Sequence, residues 1–273
     1  MAIASAPIFV RLAETGPLAT AFWRVLLSLP LAWAWWLVHR RQNELPQNSR
    51  KLAPLAWAGV FFAGDLGIWH LSIMLTPVAN ATLLVNVAPV FVTLGAWLLF
   101  GQRARPLFWA AMALALIGAS LLVHASVAAS GRQMLGDLLA VLAAVSYAGY
   151  LLAVSRARLA WPTAALMAIG ASITAATLLP FVLISGEVMW PVSGRGWLIL
   201  VLLTLIAQLL GQGLITYALA HLPASFSAVG LLVQPVMAAG FAWLILGETL
   251  TWSQAAGGVV VLAGIWLARR ASL

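Results

Sequence analysis

Cysteine is absent from the 273 residues, and only six Asp and Glu stand against fourteen Lys and Arg. The first absence removes thiol chemistry and any disulfide scaffold. Charge of either sign is scarce: 7% of the residues are charged and 64% apolar, where a water-soluble domain carries roughly 25% and 45–50%. A surface facing water cannot be covered from this composition, so lipid must be the solvent for most of it. Disorder, coiled coils and cytosolic enzymes are excluded by the same arithmetic. The basic balance, with a pI near 11.5, would suit nucleic acid, but the arginines cluster at the ends of apolar runs, where membrane topology accounts for them. Catalytic motifs are also lacking. There is no Gly-x-Ser-x-Gly, His-Glu-x-x-His or phosphate loop, and His39, His70, His124 and His221 fall on four separate segments. No cofactor or metal is expected, and no ATP is used by this chain.

What is present is a series of long apolar stretches punctuated by Arg, Pro and Gly. A membrane-spanning helix needs roughly 20 apolar residues, and the stretches predict one short and nine full helices over about 1–13, 17–38, 52–75, 78–100, 106–124, 136–155, 163–184, 196–219, 224–246 and 252–268. Runs such as Leu198 to Leu203 do not alternate, which excludes a β-barrel. The fold class is therefore an all-α integral membrane protein. One side of this ten-span arrangement collects Arg40, Arg41, Arg50, Lys51, Arg103, Arg105, Arg156, Arg158, Arg269 and Arg270; the other has Arg11, Arg132 and Arg195. The positive-inside rule then places both termini in the cytoplasm and the chain in the plasma (inner) membrane. The N-terminus lacks the basic n-region of a cleavable signal peptide.

The sequence repeats itself at a shift of 146 residues. Pro77 aligns with Pro223, Pro89 with Pro235, Val90 with Val236, Ala96-Trp97-Leu98 with Ala242-Trp243-Leu244, Gly101 with Gly247, and Gly118 with Gly264. Each copy holds five spans, residues 1–124 and 136–273 around a linker at 125–135. An odd number of spans places the copies upside down relative to one another, the architecture of carriers that alternate access about a central site. The counterpart of Gly136 would fall before Met1, so the first helix is expected to be shortened.

These features resemble the drug/metabolite transporter superfamily, in its ten-helix EamA-type branch, along the whole chain. The residues that carry the resemblance are the Pro-containing fourth helix ending in Leu-Phe-Gly-Gln (99–102), its echo Val-Gln-Pro-Val and Ala-Trp-Leu-Ile-Leu-Gly-Glu within 233–248, Gly-Asp-Leu-Leu-Ala at 136–140, and Phe22-Trp23-Arg24. Gln102, where the first repeat usually has an acid, and the short first helix depart from the pattern. The resemblance implies export of amino acids and other small metabolites, with the aromatic-amino-acid exporters a plausible branch. Drugs and non-amino-acid metabolites are the alternative cargo; a channel or an intramembrane hydrolase would be a different class altogether. A small-molecule substrate and the lipid bilayer are the expected partners, with no nucleic acid, and the chain is expected to act as a monomer.

Polar side chains at membrane depth are costly unless paired, so each is a candidate for the site and, equally, for helix packing. In the third span Asp65, Trp69, Ser72 and Thr76 share a face, with His70 about 140° round from Asp65. Asp65 and His70 are the central titratable groups available for proton coupling; without coupling, the carrier equilibrates its solute. In the fourth span Thr82, Asn86, Pro89 and Thr93 form a stripe whose proline frees a backbone carbonyl, and Gln234 beside Pro235 repeats the device. The eighth span carries Thr204, Gln208, Gln212 and Thr216 at four-residue spacing, next to Tyr217, either lining a cavity or joining helices by hydrogen bonds. Ser146, Tyr147 and Tyr150 on the sixth span are candidates for the cavity wall. Most tryptophans fall near span ends as interfacial anchors, which leaves Trp23 and Trp69 for the cavity. Gly59, Ala63 and Gly67 read as a packing ridge, and Arg24 is expected to snorkel to the interface. The substrate is expected between the repeats, near His70, Asn86, Gln212 and Gln234.

Overall fold

A computed structural model describes residues 2–42, 52–122, 131–237 and 252–272. Every regular element among them is helical, as hydrocarbon requires of a chain that does not close into a barrel. A 3₁₀ turn (Ala2–Ser5) leads into α1 (Ala6–Leu12), together the short first span. There follow α2 (Pro17–Leu26), α3 (Leu29–Gln42), α4 (Ala53–Leu75), α5 (Val78–Val85), α6 (Ala88–Phe100) and α7 (Pro106–Leu122). The second half begins with α8 (Gly131–Ala157) and α9 (Thr163–Ala165), then a π-helical segment (Leu166–Gly170) and α10 (Ala171–Ser185). Next come α11 (Gly194–Leu202), a second π segment (Leu203–Gln212), α12 (Gly213–Ala218), α13 (Ala224–Gly230) and α14 (Trp252–Ser272).

Prolines set many of these boundaries. Pro17 and Pro106 begin α2 and α7, and Pro77, Pro162 and Pro223 stand immediately before α5, α9 and α13, where a missing N–H costs nothing. Within a span the same residue can break the helix, because its ring displaces the carbonyl four residues back; Pro180 is accommodated inside α10. Accordingly α5 stops at Val85, four residues before Pro89, and α2 stops at Leu26, four before Pro30. The first break was expected. The second was not: the span expected over 17–38 is two helices meeting at Leu27–Ser28. α13 likewise ends just before Leu231 and the helix resumes as far as Met237; the rest of the ninth span lies outside the described residues, as do Gly247 and Glu248. α8 starts at Gly131 rather than Gly136, because its first turn is polar and escapes a reading by hydropathy.

Glycines let the helices approach. A Cβ on Gly118 of α7 would lie 2.6 Å from the Val261 nitrogen of α14, and one on Gly264 of α14 would lie 2.7 Å from the Ala115 nitrogen of α7. The repeat-related pair thus forms a seam between repeat-related helices. Gly59 meets Ile173 and the Gly170 carbonyl in the same way, and Thr174 Oγ1 donates to the Gly59 carbonyl at 2.9 Å, so the expected packing ridge is one. Gly101 needs its residue type for another reason. Its φ of 68° closes α6 in the left-handed region, and a Cβ there would meet nothing within 4 Å.

Two carboxylates cross-brace the halves at one end of the bundle. Glu14, after α1, accepts from the backbone N–H of Val192 and of Ser193 at 3.0 Å each and from the Ser193 hydroxyl, ahead of α11. Glu187, after α10, accepts from the first N–H groups of α2, Leu18 at 2.9 Å and Ala19 at 3.2 Å. Each acid satisfies orphan donors at or beside a helix N-terminus of the other half. Ser193 also holds the Glu14 carboxyl below its usual value, since its donors bind the ionised form. Gly16 and Gly196 make room: a Cβ on either would collide with Glu187 or Glu14.

Candidate functional site

The interior polar groups converge on the second π segment. In an α-helix every fourth residue overshoots its predecessor by about 40°, so Thr204, Gln208, Gln212 and Thr216 would drift roughly 120° around the axis. The wider turn of Leu203–Gln212 offsets that drift, and all four side chains are buried on one face. Such insertions cluster at functional sites. The first π segment faces the same space, so both irregular stretches border one cavity.

That cavity lies between α4, α8, α10 and the two π segments. Its walls are Ala58, Gly59, Phe62, Tyr150, Val154, Leu166, Met167, Gly170, Ala171, Thr174, Gln208 and Gln212, an apolar lining with a few convergent polar groups. Phe62 and Tyr150 lie with ring centroids 4.7 Å apart, and Tyr147 stacks on Tyr150 at 5.9 Å. The Tyr150 hydroxyl shares a hydrogen bond with Thr216 Oγ1 at 3.2 Å. Gln212 sits beside both tyrosine hydroxyls, yet its buried Nε2 makes no hydrogen bond of normal geometry. It is a donor awaiting an acceptor.

Arg24 does not snorkel. It is 3% exposed, and its Nε donates to Gln208 Oε1 at 3.2 Å while its backbone carbonyl accepts from Thr204 Oγ1 at the same distance. Asp65, on α4, is also buried. Its carboxylate lies in the field of Arg24, but among the described residues no ion pair joins them. α2 and α4 from the first half and α8 with the second π segment from the other therefore enclose a cluster of Arg24, Asp65, Tyr147, Tyr150, Gln208 and Gln212.

Of the residues singled out by sequence, Asp65, Tyr147, Tyr150, Gln208 and Gln212 meet there. His70 does not open to the cavity. It is 0% exposed and its Nδ1 lies 2.9 Å from the Pro17 carbonyl; a carbonyl only accepts, so the ring donates and ties α4 to the start of α2. Trp69 packs against the apolar cluster of Ala6, Val10, Ile73, Ala81, Leu203 and Ala207. Ser72 Oγ donates to the Gly136 carbonyl at 2.8 Å and Thr76 Oγ1 to Asp137 at 2.6 Å, so this end of the face joins α4 to α8. Asn86 lies at the α5–α6 break with its buried Nδ2 unpaired, and Gln234 is half-buried beside Pro235. Tyr217 points away: it is 58% exposed, its ring against His221. Trp23 belongs to an aromatic cluster instead, 4.9 Å from Trp190 and 5.1 Å from Trp197, with its Nε1 donating to the Met189 carbonyl. Sequence reasoning missed the cavity residues Phe62, Met167 and Thr174, which carry no polar signal or read as ordinary core.

With this geometry established, the relatives become informative. The EamA-like transporter family model matches residues 1–124 and 134–270. The chain belongs to this family. Its members are transporters, and the chain is a multi-pass membrane protein of that kind. Among its relatives is the pseudopaline exporter CntI of Pseudomonas aeruginosa, 30% identical over 84% of this chain and 79% of that protein. Another is the threonine/homoserine exporter RhtA of Escherichia coli, 30% identical over 72% of this chain and 64% of that one. A crystal structure at 18% identity superposes with a TM-score of 0.78, covering 99% of this chain and 96% of the other, which bears on the fold alone. The EamA-like family thus accounts for both the internal repeat and the all-helical bundle.

Proposed function

We propose that this EamA-like chain is a secondary exporter of small metabolites, foremost amino acids with aromatic or hydrophobic side chains, and that it carries no enzymatic activity. Substrate sits in the central cavity and is passed across by alternating access, the two repeats rocking about it. The observation that carries this reading is the cavity itself: Ala58, Gly59 and Phe62 of the first repeat close an aromatic-walled space to which the second repeat adds the polar groups of Tyr150, Thr174, Gln208 and Gln212. The Phe62–Tyr150–Tyr147 stack suits an apolar or aromatic side chain, and the unpaired Gln212 amide suits a carboxylate or carbonyl oxygen. The two exporters related to this chain support a small-molecule cargo.

Both termini lie on the cytoplasmic side of the plasma membrane, following the arginine count, so the Glu14–Glu187 brace closes the outer end. The chain works as a monomer, without cofactor, metal or nucleic acid. Asp65 is the acid placed to carry a coupled proton; His70, pinned to Pro17, serves mainly to hold α2. Asn86 and Gln234 stand at the two helix breaks and border the path from the cavity, whereas Trp69, packed in its own apolar cluster, and Tyr217, turned outward, act on it only indirectly. The test is exchange of labelled L-tryptophan and L-threonine in liposomes loaded with the same unlabelled amino acid. Saturable exchange is expected, reduced about tenfold by Gln212→Ala, in line with loss of a hydrogen bond worth ~1–2 kcal/mol. Flux that fails to saturate would mean a channel, and no exchange of either amino acid would overturn the amino-acid reading.

A further inference from the structure

Arg24 and Asp65 are a buried base and a buried acid on neighbouring helices that do not touch. A pair in a low-dielectric interior gains most by closing to direct contact, and separated partners leave much of the desolvation penalty uncompensated. Here the separation is maintained by other bonds. Gln208 holds the Arg24 guanidinium by its Nε, and Thr204 holds the backbone of the same residue. α4 is fixed on its other faces by the His70–Pro17 and Ser72–Gly136 bonds. The consequence is a guanidinium whose two terminal nitrogens have no partner among the described residues, and a carboxylate in the same condition. Neither group is among the sealed, unpartnered atoms of the interior, and Arg24 binds Gln208, a residue of the cavity wall. Tyr147 and Tyr150 face the two groups from α8, and Gln212 adds its unpaired Nε2.

A ligand that completes this arrangement must bring one negative and one positive group. The free edge of Arg24 presents two parallel N–H donors, the geometry that takes a carboxylate bidentately. Asp65, acceptor-only when ionised, takes a donor that carries charge, which an ammonium supplies. We infer that Arg24 and Asp65 form a two-point clamp for a zwitterion, Arg24 binding the carboxylate and Asp65 the ammonium of an amino-acid cargo whose side chain lies toward Phe62 and Tyr150. This assignment rests on the amino-acid exporter reading and adds to it the groups that set the charge of the cargo. A simple amine or a simple acid leaves one buried charge unmatched.

The test is competition in the tryptophan exchange assay by tryptamine, which lacks the carboxylate, and by indole-3-propionate, which lacks the ammonium. For the unsubstituted protein each is expected to compete about 30-fold or more weakly than tryptophan, the loss typical of leaving one member of a buried charge pair unmatched. Arg24→Gln should erase the preference for tryptophan over tryptamine, and Asp65→Asn the preference over indole-3-propionate, each without altering the other. A merely structural role for either residue would lower exchange of all three compounds together. If both variants fail to fold, the unsubstituted protein decides alone: equal competition by either analogue overturns the clamp. Tryptophan exchange with that equal competition leaves the exporter standing without the clamp. Absence of exchange for tryptophan and threonine overturns both.

Discussion

Gln208 is what allows a permanent cation to stay at membrane depth in this bundle. Its Oε1 is the one side-chain acceptor that Arg24 has among the described residues, so Gln208→Leu strands a buried guanidinium Nε. Hydrogen bonds to charged groups are worth ~1.5–3 kcal/mol, and the expected result is a fall of that size in the unfolding free energy of the detergent-solubilised protein. Gln208→Glu supplies a carboxylate to the same nitrogen and should recover most of it. Equal losses for both variants would show that the site responds to the change of shape and not to the charge. The residue scale is also where the sequence is least legible. The Thr204–Thr216 stripe is visible as a four-residue spacing, and the tyrosines stand out at depth. The bond from Gln208 spans 184 positions, and no local pattern in the neighbourhood of Arg24 announces it, so interfacial snorkelling was the natural expectation and the wrong one.

At the scale of elements, apolar runs show where helices lie but not how tightly they are wound. The breaks before Pro89 and Pro30 follow from one steric rule, but Pro180 sits within an unbroken α10, so proline alone does not tell which spans divide. The π turns at 166–170 and 203–212 have no such marker, because hydropathy does not encode the number of residues per turn. The cross-brace at the ends of α2 and α11 was equally hidden, since Glu14 and Glu187 look like isolated loop acids until the connections are placed side by side. Its pH dependence follows from chemistry. Hydrogen bonds from Ser193 hold the Glu14 carboxyl below its ordinary value of 4.5, so the ionised form is the one bound. The bracing contribution is therefore full above that ordinary value and is lost as the pH falls through the lowered one. The cysteine-free sequence permits labelling without background. Spin labels on cysteines introduced at Ala13 and Trp190 should report one narrow distance at neutral pH and a broadened distribution in acid. Glu14→Gln should give the broadened distribution at every pH. A distribution in the Gln variant that is narrow and unchanged by pH would show that the carboxylate does not brace this end.

The whole molecule is where sequence and structure agree best, because the 146-residue repeat and the spacing of apolar runs are long-range regularities that no single residue can obscure. They also specify an interface. Gly118 and Gly264 align in the repeat, and in the bundle each admits the backbone of the other's helix, Gly118 against Val261 and Gly264 against Ala115. A side chain placed at either position must push α7 and α14 apart, at a cost of about 1–3 kcal/mol for overpacking. Gly118→Val and Gly264→Val are each expected to lower the unfolding midpoint of the solubilised protein. Because both positions open the same seam, the second substitution enters a gap that the first has already made. The double variant should then be less destabilised than the sum of the two, by a coupling within the ~0.5–3 kcal/mol seen between residues in contact. Strict additivity would mean that the two glycines act at independent contacts, and that α7 and α14 do not meet along one shared seam.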